Sequence, residues 1–272
     1  SMRLQNDGIC TNINISHGSG GVRMHKKKRI VLECIPAALL TCAAVLGLLF
    51  YFGVLQCNNP STETYPVRGV DVSSYQGEID WPVLAAQDIR FAFIKATEGS
   101  SAADPCFARN LAGALQTDLR IGAYHFFSYD SPGETQADNF IAVVPVWDGM
   151  LPPVVDVEFY GDKEKNPPDK AAVQAELTDL LARLEAHYGL KPILYATEKS
   201  YALYIDGAFD AYDLWIRSVF RSPRLPENRR WTFWQYSNRK RLAGYSGRES
   251  YIDMNLFYGS PEQFEQYAGT SA

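Results

Sequence analysis

Cysteine and histidine are scarce in this 272-residue chain, which has five of the first and four of the second. Cys10, Cys34 and Cys42 lie near the N-terminus, leaving Cys57 and Cys106 beyond. No CxxC pair occurs, and His17, His25, His125 and His187 are scattered. That pattern offers no zinc ribbon or finger, so no metal or cofactor is expected. A domain of this size does not need disulfides even if exported. Excess positive charge is missing too: 26 Lys+Arg stand against 31 Asp+Glu, a net of −5, which argues against nucleic acid as a partner. GxSxG is absent and His125 has no evident triad partner, so a serine hydrolase is poorly supported. What is plentiful is apolar (46%) and aromatic (13%), enough for a large core.

The first 57 residues differ from the rest. "MHKKKR" (Met24 to Arg29) precedes an uncharged run of 22 residues, Cys34 to Leu55. At about 1.5 Å per helical residue the run reaches roughly 33 Å, enough for a bilayer core of about 30 Å. The basic flank predicts a cytoplasmic N-terminus, with everything after the run outside. The expected division is a disordered cytoplasmic tail over 1–29, with Met24 a natural start, and a transmembrane signal-anchor over 30–57. A polar linker over 58–66 and a catalytic domain over 67–272 follow. Two rival readings are a cleaved, secreted form and a lipoprotein whose box ends "VLQC" at Cys57; small residues at the cleavage positions are hard to find for either.

From Val67 onward apolar strand-like runs alternate with helical stretches. Strands are expected near 68–73, 91–97, 120–127, 151–159, 192–197, 214–218, 231–237 and 251–257. Helices are expected at 81–87, 105–117, 132–142, 168–188, about 199–204 and 261–267. The first five strands each precede a helix and the last three do not. This predicts an α/β, TIM-like barrel that is irregular at its end.

One strand carries an anomaly. "PPVVDVEFYGD" (152–162) is an apolar run with carboxylates at Asp156 and Glu158. Residues i and i+2 of a strand share a face, roughly 6.5–7 Å apart, where two like charges oppose folding. Either the strand end emerges into solvent, or a site needs both acids. Other acids fall at corresponding levels: Asp71 ends strand 1, Glu98 follows strand 2, and Asp253 lies in strand 8, beside strand 1 in a closed barrel. Tyr75, Gln76, Tyr124, His125, Phe126, Tyr195, Trp215, Trp234, Gln235 and Tyr236 recur at the same level. Acids ringed by aromatic faces suit a sugar, and their clustering at one rim favours the site.

"RGVDVSSYQGEIDW", "FAFIKATEGS", "IGAYHFF", "PPVVDVE", "WTFWQYS" and "YIDMN" resemble, in that order, the motifs of glycoside hydrolase family 25, the DxE-type lysozymes. The resemblance runs from about Arg68 to Phe257. It implies a (β/α)5β3 barrel and cleavage of the β-1,4 bond between N-acetylmuramic acid and N-acetylglucosamine in cell-wall degradation or remodelling. It departs at Met254, where the family often has another aliphatic, and in the loop "YGDKEKNPPDK". Chemistry and family pattern together make Glu158 the general acid and Asp156 the group that stabilises the sugar centre or orients its acetamido group. Direct and substrate-assisted attack both stay open. Asp71 and Asp253 would complete the acidic floor. Tyr124, Tyr195 and Trp234 would line the groove, with Glu98, Tyr75 and Gln235 nearby. Trp234 could instead be core, Glu98 a solvated turn acid, and His125, Lys95 and Asp80 are expected to be structural.

The expected partners are peptidoglycan strands and, through the anchor, the membrane; a monomer is expected. Other readings are a non-catalytic wall-binding module, against which both DxE carboxylates speak, and a glycosidase for another N-acetylated glycan such as chitin. Residues 217–248 hold nine basic residues and one acid, Glu227, against a net of −8 over 64–272. That patch would either attract anionic wall polymers or stem-peptide carboxylates, or be a solvated face.

Overall fold

The computed structural model describes residues 20–51, 55, 58–226 and 229–268, without the side chains of 20–34 and 37. It divides into two units, 1–51 and 52–272.

The first unit is one helix, α1 (Gly20–Tyr51), with Pro36 inside it. Residues 20–29, expected as disordered tail, are therefore helical; 1–19 lie outside the described residues. Among the described residues no helix is long and apolar enough to cross a membrane, so the expected transmembrane span is not seen as such. Of that expected segment, 52–54, 56 and 57 fall outside the description.

The second unit is a closed barrel of eight strands: β1 (Arg68–Val72), β2 (Phe91–Glu98), β3 (Arg120–Phe126), β4 (Val154–Val157), β5 (Ile193–Thr197), β6 (Asp213–Arg217), β7 (Phe233–Lys240) and β8 (Ile252–Phe257). β1 through β7 pair in parallel in chain order. β8 closes the ring antiparallel to both β7 and β1. A two-residue strand, Ala102–Ala103, folds back onto the end of β2. Helices α2 (Trp81–Ala85), α3 (Phe107–Ala114), α4 (Gly133–Val143) and α5 (Lys170–Tyr188) follow the first four strands. A short turn over 198–205 follows the fifth. α5 starts two residues later than its proline pair suggests, because the Asp169 carboxylate accepts the Ala172 N–H at 2.9 Å. Gly189 ends it in the left-handed conformation, φ 65°.

Alternation along the strands sorts side chains into two layers. Outward residues such as Val70, Ile94, Val155, Leu194, Ile216 and Leu256 pack under the helices. Inward residues Phe91, Phe93, Val154, Ile193, Trp215, Phe233 and Phe257, capped by Phe264, fill the barrel. Gly69 and Gly122 make room for this plug. A Cβ on Gly69 would lie 2.4 Å from the Phe91 ring, and one on Gly122 2.6 Å from the Phe93 ring.

Residues 58–66, expected as a free linker, are part of the barrel. Asn58 donates to Ser218 O and Arg221 O, and Arg68 reaches Pro60 O. Tyr65 lies 5.6 Å from Trp231 and 6.2 Å from Trp234. The physical reason is topological. β7 has no helix outside it, so its outward aromatic residues are covered by the incoming chain.

Candidate active site

β1 and β4 run the same way, so Asp71 and Asp156 emerge at the same rim. β8 runs the other way, so Asp253, the second residue of its strand, meets that rim from above. Its register partner is Asp71. The inversion of one strand thus gathers acids from opposite ends of their strands. Glu158 follows β4 by one residue, on the same face as Asp156.

Beneath them lies a chain of directed hydrogen bonds. Tyr195 donates its hydroxyl to Gln235 Oε1 at 3.0 Å. Gln235 Nε2 donates to Asp71 Oδ2 at 2.9 Å and to Asp253 Oδ2 at 3.3 Å. Asn255 Nδ2 donates to the same Asp71 oxygen at 2.8 Å, and its own oxygen accepts from Trp215 Nε1 at 2.9 Å. Each amide is therefore oriented from both ends. By contrast Asp156 Oδ1 is buried and takes no hydrogen bond.

Burial pushes all four carboxyls above their ordinary range. Asp156 is pushed well above it, with Glu158 adding like-charge repulsion after burial. Asp253 is likewise well above it through burial and then Asp71. At Asp71 the Asn255 and Gln235 donors oppose the burial effect. At Glu158 the Arg217 guanidinium opposes it and the Asp71 charge adds to it. Burial thus favours the protonated form at every one of the four.

The expected residues divide between site, rim and core. Tyr124 faces the acids, its phenol pushed well up by burial and then by Asp71, Asp156 and Asp253. Tyr195 and Gln235 lie deeper than a groove wall, 4% and 2% exposed, and act as floor. Tyr75 stands exposed at the rim beneath Arg248. Glu98 is exposed and pairs with Lys95 at 2.7 Å. A β-bulge between Lys95 and Thr97 turns Thr97 outward to His125, its Oγ1 2.7 Å from Nδ1. His125 is structural as expected: Gln136 holds its other nitrogen and burial pushes it down to about 4. Asp80 caps α2 by accepting the Val83 N–H.

Trp234 is the correction. It is 1% exposed on the outer side of the barrel, donating its N–H to Ser218 O at 2.9 Å. Gln235 and Trp234 are neighbours on one strand and cannot both face inward. Period two, applied strictly, forces that choice.

Arg217, Asn255 and Tyr129 were not read from the sequence as site residues. Arg217 sits inward at the end of β6 and draws down all four acids. Its signal was parity with Trp215. Asn255 stands two residues from Asp253, within reach of the same parity argument. Tyr129 lies in a loop, where no periodicity could point to it; it stacks on Phe159 at 5.9 Å. Among the described residues no group of His, Cys, Asp and Glu is placed to hold a metal ion.

A barrel rim with four carboxyls, two buried and two half-buried, an oriented amide floor and inward tyrosines defines a carboxylate-dependent glycosidase. Comparison with known proteins gives the particular family. Residues 70–245 match the glycosyl hydrolases of family 25, and the chain belongs to that family. A family 25 glycosyl hydrolase from Bacillus anthracis is 54% identical, with a TM-score of 0.74, over 78% of this chain and 97% of that one. A bacterial lysozyme from Streptomyces coelicolor is 30% identical, with a TM-score of 0.64, over 76% and 98%. Lysozyme M1 of Streptomyces globisporus is 30% identical over 226 residues, 77% of this chain and 74% of that protein.

Proposed function

We propose that this glycosidase works as a muramidase with Glu158 as its general acid and Asp156 as its partner. Its reaction is hydrolysis of peptidoglycan at the β-1,4 bond between N-acetylmuramic acid and N-acetylglucosamine. As the glycosidic C–O bond lengthens, Glu158 gives its proton to the departing oxygen. Burial favours the protonated form that this step needs. Positive charge grows at the anomeric carbon, and Asp156 stabilises it or holds the neighbouring acetamido N–H. Asp71 and Asp253 keep the acidic floor in place through their shared amide donor. Water then completes hydrolysis, and its proton returns to Glu158.

The observation that carries this reading is Asp156 Oδ1. A buried carboxylate oxygen without a partner is costly unless a ligand supplies a donor. An acetamido N–H supplies one. Mass spectrometry of fragments released from purified peptidoglycan by the full chain tests the reading. Reducing muramic-acid ends are expected; reducing glucosamine ends, or cleavage of chitin alone, would refute it.

The uncharged 22-residue run after "MHKKKR" supports a membrane anchor with the barrel outside the cytoplasm. So do the exposed apolar side chains of α1, among them Ile35, Leu39, Leu40 and Leu48, which water covers poorly. Protease added to intact cells should release an active soluble barrel while untreated protein stays with the membranes. A mature chain beginning at Cys57 and carrying lipid would replace the anchor with a lipoprotein.

A further inference from the structure

The acidic floor poses a problem for its own substrate. Muramic acid carries a peptide branch through its lactyl ether, and such branches end in carboxylates. Near the four acids of the site those carboxylates meet charge of their own sign.

The rim directly above has the opposite sign. The C-terminal end of β7 and the start of β8 bound the mouth of the site; the last residues of β7 and the connection to β8, 238–251, hold four basic residues and one acid, Glu249. Three of the four are laid on tyrosine faces. Arg241 and Arg239 lie over the Tyr251 ring at 5.0 and 5.6 Å, and Arg248 lies over the Tyr75 ring at 4.2 Å. Arg241 and Arg248 are exposed to solvent.

This connection is built, not draped. Ile79 and Tyr245 form an antiparallel bridge. Glu249 N donates to Tyr75 O at 3.1 Å, and Gln76 Nε2 donates to Tyr251 O at 3.2 Å. A Cβ on Gly247 would lie 2.2 Å from Tyr75 O, so the two loops meet backbone to backbone. The ring beneath each of Arg241 and Arg248 supports a guanidinium whose N–H groups can grip a carboxylate with two parallel bonds. Three other basic residues of the wider 217–248 patch are used differently. Arg221 pairs with Glu198, Arg229 bonds Asp210 O and Tyr212 O, and Arg217 serves the acids.

We propose that Arg241 and Arg248 bind the carboxylates of the muramic-acid peptide branch and make the enzyme prefer peptide-bearing glycan. This rests on the muramidase reading above. The test measures kcat/KM of the full chain and of R241E/R248E on glycan strands that keep their peptides and on the same strands stripped of them. On peptide-bearing strands the double reversal should cost about tenfold at low salt, with the gap closing at high salt. On stripped strands it should cost less than about twofold, which also certifies the fold. R241K/R248K keeps the charge and should recover part of the preference. Equal losses on both substrates, or no loss on either, overturn the proposal. So does a loss that disappears when phosphate-bearing wall polymers, and not peptides, are removed from whole walls. Wild-type protein inactive on both kinds of strand would instead refute the muramidase reading.

Discussion

The two ends of the barrel interior are filled from the same strands by opposite chemistry. At the closed end, Phe91, Phe93, Phe233 and Phe257 meet edge to face or tilted at 5.2–5.7 Å, without a polar atom among their side chains. One or two strand steps higher, the same faces present Asp71, Asp156, Gln235, Asp253 and Asn255. Trp215 is the boundary. Its ring stacks on Phe93 at 4.7 Å, and its N–H holds Asn255. The plug is what makes the acids unusual. It denies them water from below, so their desolvation is built into the fold and does not depend on a lid.

The largest effect expected breaks the open end alone. Glu158→Gln should bind glycan and keep its fold while losing about 10²–10⁴-fold in kcat on peptidoglycan. A substrate with a good leaving group should suffer far less, since it needs little protonation. Asp156→Asn should lose activity on both substrates, because the sugar centre needs support whatever departs. If the two variants cannot be told apart on either substrate, the assigned roles are wrong. In wild type the alkaline limb of the pH profile should follow Glu158, above the ordinary carboxyl range, and vanish in Glu158→Gln with the activated substrate.

The closed end answers to a different measurement. Phe93→Ala should cost about 3–5 kcal/mol of stability through the cavity it leaves. It should also admit water under Asp71 and bring the raised carboxyls back towards ordinary values. Denaturant unfolding together with the pH–activity profile checks both. Loss of stability with an unchanged profile would show that the plug packs the barrel without tuning the acids.

A third effect joins the two ends through linkage. Asp156 titrates higher in the folded chain than in the unfolded one. Its contribution is therefore complete below the unfolded pKa, about 3.9, and is lost as pH rises through the folded value. Asp156→Asn removes that loss. The variant should match wild type in thermal stability near pH 3 and exceed it progressively above about pH 4, by about 2–4 °C in Tm per kcal/mol recovered. A stability difference that does not change with pH would contradict the burial argument.

Much of this was legible in the chain because strands broadcast their facing. The eight strands, the closure of β8 on β1 and the pairing of Asp71 with Asp253 follow from apolar runs and turn signals. Asp156 and Glu158 announced themselves by sitting two apart in a buried run. The misplacement of Trp234 came from weighing its aromatic character above its parity with Gln235. Arg217 was hidden inside a run of basic residues, where composition suggests surface and only register says interior. Residues 58–66 read as a linker because they are polar and rich in proline. Nothing local shows that they cover a flank of the barrel without a helix. The bulge after Lys95 was unreadable, and it alone decides that Thr97 turns outward to His125.

The smallest effect concerns Glu98, which shares the rim with the acids without being buried among them. Lys95 spans the two groups: it pairs with Glu98 at 2.7 Å, and its charge also draws Asp156 down. Glu98 itself is 52% exposed, so the pair is worth about 0–1 kcal/mol in water and less in salt. Glu98→Gln should therefore leave stability almost unchanged. It frees the lysine charge to act on Asp156, which lowers the tendency of that carboxyl to hold its proton. The expected outcome is a kcat within about twofold of wild type and a small downward move of the acidic limb of the pH–rate profile, clearest at low ionic strength. Substrate that touched Glu98 directly would give another result: a raised KM on polymer at every pH, with the limb unmoved. That outcome would transfer Glu98 from the solvated edge of the rim to the sugar-binding site.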